Sequence, residues 1–129
     1  MIMLTFCLRR AAHLSPAAFR QYWLETHGPL VRRLQAAIGA TRYTQLHALD
    51  GDPVGAALAR VRGAPEAFDG IAQMCWASRA DLEASMASRA GRAAGRQLLE
   101  DERRFIDLAR SPIWLNEVHE YEFHRAEPS

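Results

Sequence analysis

The stretch Phe19-Arg20-Gln21-Tyr22-Trp23-Leu24-Glu25-Thr26-His27-Gly28-Pro29-Leu30 sets a histidine in the chain's best amphipathic segment, ahead of the two residues least compatible with continuing a helix. An imidazole titrates near pH 6.5, so His27 can take or give a proton on a small carbonyl or phenolic substrate. Two roles are open to it. His27 lies four residues after Trp23 and three before Leu30, on or beside the apolar stripe, so it is either a core residue pinning a helical break or a catalytic group facing a pocket. Tyr43 and His47, four apart in a strand-like run, share a face and can supply a hydrogen-bond donor and a proton carrier. His119 and Tyr121 form a similar pair near the end of the chain. Phe6, Tyr22, Trp23 and Trp76 are the aromatic candidates for pocket walls, with a purely core role as the alternative.

Several chemistries are disfavoured. All sixteen basic residues are arginine, so no lysine can form a Schiff base or hold pyridoxal phosphate. Gly-x-Gly-x-x-Gly and Walker patterns are lacking, and no cofactor is expected. The five histidines are dispersed, with no His-x-x-x-His or Cys-x-x-Cys, so no metal site is expected either. Cys7 and Cys75 sit mid-strand in apolar company that raises a thiol pKa, which argues against a nucleophile. Arginines and carboxylates are interspersed, with a net charge of +1, which disfavours nucleic acid. Arg32-Arg33 and Arg103-Arg104 are read as solvated helix faces.

The elements that must position these groups follow from periodicity. Ile2 to Leu8 is a nearly continuous apolar run, a strand buried on both sides. Ser15-Pro16 starts a first helix whose stripe runs Phe19, Tyr22/Trp23, Thr26, Leu30, Leu34 and Ile38, with Gly39 as its stop. Pro29 must kink that helix or force it to restart. Thr41 to Leu49 reads as strand two, Asp50-Gly51-Asp52-Pro53 as a turn, and residues 54 to 64 as a short helix or ordered loop. Asp69 to Ala77 is strand three. Helix two starts at Ser78, is loosened at Gly91 and Gly95, and resumes to Phe105-Ile106; strand four runs from Ile113 to Phe123, and a polar tail follows from Arg125.

The order βαββαβ specifies one ferredoxin-like α+β domain over residues 1–129, an antiparallel four-stranded sheet with its helices on one face. The other face needs a cover, since a four-stranded sheet presents about 400 Å², near the largest apolar patch a monomer exposes. A homodimer through sheet faces is therefore expected. The apolar amino-terminal run is too short to span a membrane and lacks the form of a signal peptide, so a cytoplasmic protein with reduced cysteines, away from membranes, is expected.

The segments "SPAAFRQYWLETHGPL", "DERRFID" at Asp101 to Asp107 and "NEVHEYEF" in the last strand resemble the EthD family of the dimeric α/β-barrel superfamily. The aromatic-Trp-x-x-x-His-Gly-Pro pattern is the most specific of the three. The resemblance implies a barrel built from two sheets, among relatives that include polyketide cyclases, lactone isomerases, cofactor-independent monooxygenases and haem-degrading enzymes. Three functions are thereby in view: a small cofactor-independent enzyme acting on a hydrophobic or aromatic compound, a non-catalytic protein holding such a compound for an oxidoreductase, and a haem-binding protein.

Overall fold

A computed structural model describes residues 1–125, which form one four-stranded antiparallel sheet with helices packed on one face. The strands are β1 (Ile2–Leu8), β2 (Arg42–His47), β3 (Gly70–Trp76) and β4 (Ile113–Glu117), in the spatial order β2-β3-β1-β4. The register fixes the faces. Phe6 opposite Ala72, and Tyr43 opposite Met74, turn toward the helices, while Thr5 opposite Gln73 turns away. β1 is buried on both faces, with Phe6 and Leu8 in the helix-side core and Thr5 and Cys7 buried on the other side.

The first helical arm comprises α1 (Pro16–Tyr22), a π-turn (Trp23–His27), α2 (Gly28–Arg33) and α3 (Gln35–Ile38). Ser15 caps α1 through its hydroxyl, and Pro16 occupies a first-turn position whose N–H needs no partner. The arm does not break at Pro29. The ladder ahead of the proline widens by one residue, and the Gly28 N–H bonds to the Trp23 carbonyl five residues back, which accommodates the missing donor. Gly39 ends the arm with φ 73°, a left-handed conformation that costs glycine nothing.

Residues 53–60 form a short helix, α4 (Pro53–Arg60), capped by Asp52 and with none of its residues buried. The second arm is α5 (Arg79–Ala87) and α6 (Arg89–Phe105). It is interrupted at Ser88 rather than loosened at Gly91 and Gly95. Ser88 is extended at ψ 152° and its hydroxyl caps α6 by accepting the Gly91 N–H, so both glycines lie inside an unbroken helix. β4 is likewise shorter than its alternating pattern, ending at Glu117 instead of Phe123. Its only partner among the described residues is β1, and Glu117 already sits opposite Ile2, the first residue of that strand. His119 and Tyr121 thus lie past the ladder and not on a shared strand face. The polar tail expected from Arg125 falls, beyond that residue, outside the described residues.

Two apolar clusters join sheet and helices. Phe19, Trp23 and Phe105 form one with Phe6 and Leu8; Val31, Ile38, Trp76 and Leu82 anchor the other. Gly70 is dictated by packing, because a Cβ there would overlap the Trp23 ring.

Candidate active site

The π-turn aims His27 inward. The ring is only 6% exposed, tilts against Phe105 at 4.9 Å between centroids, and presents Nδ1 to Asp101 Oδ2 at 2.7 Å. Asp101, on α6 and 4% exposed, also accepts the Tyr22 hydroxyl on Oδ1 at 2.5 Å, with Arg104 Nη1 at 3.4 Å from the same oxygen. Burial would raise the Asp101 carboxyl, but hydrogen bonds from Tyr22 and His27 and the charge of Arg104 hold it below its ordinary range. A carboxylate accepting at Nδ1 puts the neutral imidazole's proton there and leaves the Nε2 lone pair free. Burial, opposed by Asp101, lowers the His27 pKa and so favours that neutral form.

Nε2 makes no hydrogen bond among the described residues, and no buried side-chain nitrogen or oxygen among them lacks a partner, so this atom is not sealed in packing. His27 lines a cavity of about 210 Å³ between the sheet and the two arms. The walls are mainly apolar, with Phe6, Trp23, Val31 and Trp76 among them. The polar residues of the lining are His27, Tyr43, Gln73, Ser85 and Glu102, of which His27, Tyr43 and Glu102 can titrate. Burial and the neighbouring Asp101 charge push the Glu102 carboxyl up to about 7, so about half of it still carries its proton at neutral pH. Burial also raises the Tyr43 phenol above its ordinary value, against the hydrogen bonds with Gln45 and Trp23, which lower it. Its hydroxyl accepts from Gln45 Nε2 at 2.9 Å, and its own proton has no acceptor among the described residues.

Gln45 explains the glycine of His-Gly-Pro. The same Nε2 that bonds Tyr43 also reaches the Trp23 carbonyl at 3.0 Å, and a Cβ on Gly28 would stand 3.2 Å from it. A side chain after His27 would crowd the amide by which β2 fastens to the π-turn, and Gly28 leaves it room. Gln45 Oε1 accepts from His47 Nε2 at 2.8 Å, so Tyr43, Gln45 and His47 form a ladder at alternate strand positions.

Of the residues singled out by sequence, His27, Tyr43, Phe6, Trp23 and Trp76 come together around the cavity. His47 does not line it: its ring stacks on Trp23 at 4.3 Å, and burial with the Arg20 charge lowers its pKa. Tyr22 also stays outside, because its hydroxyl is turned to Asp101. His119 is exposed beyond β4, 3.1 Å from Glu117, remote from the cavity lining because the sheet ladder has already ended. Burial raises the Cys7 thiol pKa, and both cysteines are buried and unpaired with one another. No three His, Cys, Asp or Glu side chains among the described residues converge to hold a metal ion. No helix among them is long and apolar enough to cross a membrane.

Asp101, Glu102 and Gln45 were not legible as site residues. Seventy-four positions separate Asp101 from His27, and the adjoining Arg103-Arg104 reads as a solvated face. The signal that was present is the α6 spacing of Leu98, Glu102 and Phe105, which places Glu102 beside the apolar stripe.

Solved structures of low sequence identity share the fold. An EthD family protein from Bacillus halodurans superposes with a TM-score of 0.59 at 18% identity, covering 92% of this chain and 100% of that one. An EthD-like protein from Ralstonia eutropha gives 0.54 at 17% identity, covering 90% of each chain. A dimeric ferredoxin-like protein of unknown function from Thermobifida fusca gives 0.56 at 15% identity, covering 91% of this chain and 90% of its own. No curated protein matches the sequence. The EthD domain model matches residues 11–109, a span that contains the π-turn, the His27–Asp101 pair and Glu102, and the chain belongs to the EthD family.

Proposed function

We propose that the protein is a cofactor-independent enzyme that moves a proton on a small hydrophobic or aromatic carbonyl compound or phenol. The observation that carries this reading is the composition of one cavity. A neutral imidazole with a free Nε2, a carboxyl half-protonated at about pH 7 and a phenolic O–H line the same apolar space. In the proposed step, His27 Nε2 takes a proton from the carbon beside a carbonyl, or from a phenolic oxygen. The oxyanion left behind accepts hydrogen bonds from Glu102 and Tyr43. Asp101 stabilises the imidazolium that forms, and the proton returns to the same or a different carbon, giving exchange, isomerisation or ring closure with atoms conserved. In a medium of low dielectric such donors stabilise the transition state more than they do in water.

The alternative of a passive binder requires shape and apolar walls only; the presence of a base and two donors in one cavity lining favours catalysis. Haem at His27 is disfavoured by the volume of its cavity, below even the ~300 Å³ at which sites for drug-sized ligands begin, and the larger adjoining cavity of about 620 Å³ has no histidine or cysteine among the described residues of its lining. A homodimer through the uncovered sheet face belongs to the same proposal, supported by the dimeric state named for the Thermobifida fusca neighbour. A cytoplasmic setting is supported by two buried free thiols.

The test is proton exchange on indanone in heavy water, followed by NMR. Wild type should accelerate loss of the α-proton signals, and His27→Gln should reduce that acceleration by at least ~100-fold with a melting temperature within a few degrees. Exchange at the buffer rate, or a large stability loss with exchange retained, would leave His27 a structural residue.

A further inference from the structure

The cavity runs beneath α6, whose lining residues Gly91, Gly95, Leu98 and Glu102 follow one another at spacings of four, three and four and so form a single stripe. Two glycines inside a helix are disfavoured positions, and only one has a packing reason. A Cβ at Gly91 would collide with the Ser85 carbonyl, so α5 and α6 can meet there only across a glycine. At Gly95 a Cβ would meet nothing within 4 Å. Gly95 is nonetheless part of the cavity lining and is exposed to solvent, which makes it part of the mouth. Met86 of α5, 65% exposed, lines the same cavity. At the inner end His27 is more than nine-tenths buried with Nε2 unpartnered among the described residues. From Gly95 to Glu102 the helix rises about 10 Å.

We infer that Gly95 and Met86 form the portal, and that the absent side chain at Gly95 lets a substrate's apolar tail leave between α5 and α6 while its polar head sits at His27 and Glu102. The inference rests on the proton-transfer reading of the cavity and adds a substrate class: a single carbonyl or phenol head bearing an elongated apolar tail, with no anionic group. No lysine exists in the chain, and no arginine among the described residues lines the cavity to receive such a charge.

The test uses para-cresol and para-propyl-, para-pentyl- and para-heptylphenol, titrated by calorimetry and by the fluorescence of Trp23 and Trp76, which line the cavity. Wild type should bind tighter as the tail lengthens, by about fourfold for each methylene that stays buried. Gly95→Leu, which installs a good helix former across the mouth, should leave para-cresol within about twofold and weaken para-heptylphenol at least ~10-fold. Gly95→Ala serves as the folding control, with a raised melting temperature and the wild-type chain-length profile. If Gly95→Leu weakens all four phenols equally, or none, while wild type binds them, the portal is overturned and the proton-transfer reading stands. If wild type binds no phenol of any length, the portal and the phenol branch of the proton-transfer reading are overturned, and the carbonyl branch stands or falls with the exchange on indanone.

Discussion

Replacing Glu102 by Gln tests the electrostatics of the cavity without requiring knowledge of the substrate. In the folded chain the carboxyl is held at about 7, against an ordinary 4.5, first by burial and then by the Asp101 charge. Between those two values the folded state keeps a proton that the unfolded chain has released. Stability therefore falls as pH rises, by about 1.36 kcal/mol per pH unit at most. Over the whole interval the ceiling is about 3 kcal/mol, and because Glu102 retains some solvent contact the measured figure should lie below it. The amide of the variant keeps the shape and cannot ionise. Denaturant unfolding of both proteins from about pH 4 to pH 8 should give curves that coincide at the acid end and separate above pH 5, with the variant the more stable at pH 8. The difference curve matters more than either profile, because His27, whose pKa is lowered in the fold, contributes the opposite slope below its unfolded value of 6.5. Parallel profiles, or a variant less stable than wild type at pH 8, would refute a carboxyl held protonated by its surroundings.

Asp101→Asn should cost about 1–2 kcal/mol, the difference between hydrogen bonds to a charged and a neutral acceptor, and lower the His27 pKa further by removing the partner that raises it. Nitrogen-15 NMR of the ring should show an Nδ1–H tautomer in wild type and a changed tautomer balance in the variant; identical ring shifts would contradict the assigned pair. Light scattering at micromolar concentration should return twice the chain mass of 14.5 kDa. A monomer at that concentration would show the uncovered sheet face to be stable in water.

The span matched by the EthD domain model, residues 11–109, holds both halves of the site, the contiguous His-Gly-Pro turn and the distant Asp101 and Glu102. A π-turn is itself a common mark of function, and here it has a local cause. Pro29 removes one donor, Gly28 clears space for Gln45, and the histidine just ahead of them is turned into the core. The helix insertion and the catalytic candidate are thus one feature.

Local pattern by itself determined the order of strands and helices, the stops at Gly39 and Asp50-Gly51-Asp52-Pro53, and the burial of β1 on both faces, because period, caps and turn residues act within a few positions of where they stand. It also marked His27 and Tyr43. The break at Ser88 instead of the glycines was settled by packing, since Gly91 lies against α5 and must stay helical. The length of β4 was settled by where its partner strand begins. The separation of His47 from His27 was settled by the Trp23 ring, which takes the histidine's stacking face. Asp101 and Glu102 acquired their roles only when α6 was laid across the π-turn, because one carboxylate then meets His27 while its neighbour is left in an apolar space that no arginine among the described residues lines. Partners distant in sequence, and the dielectric around them, exist only once the chain has closed on itself.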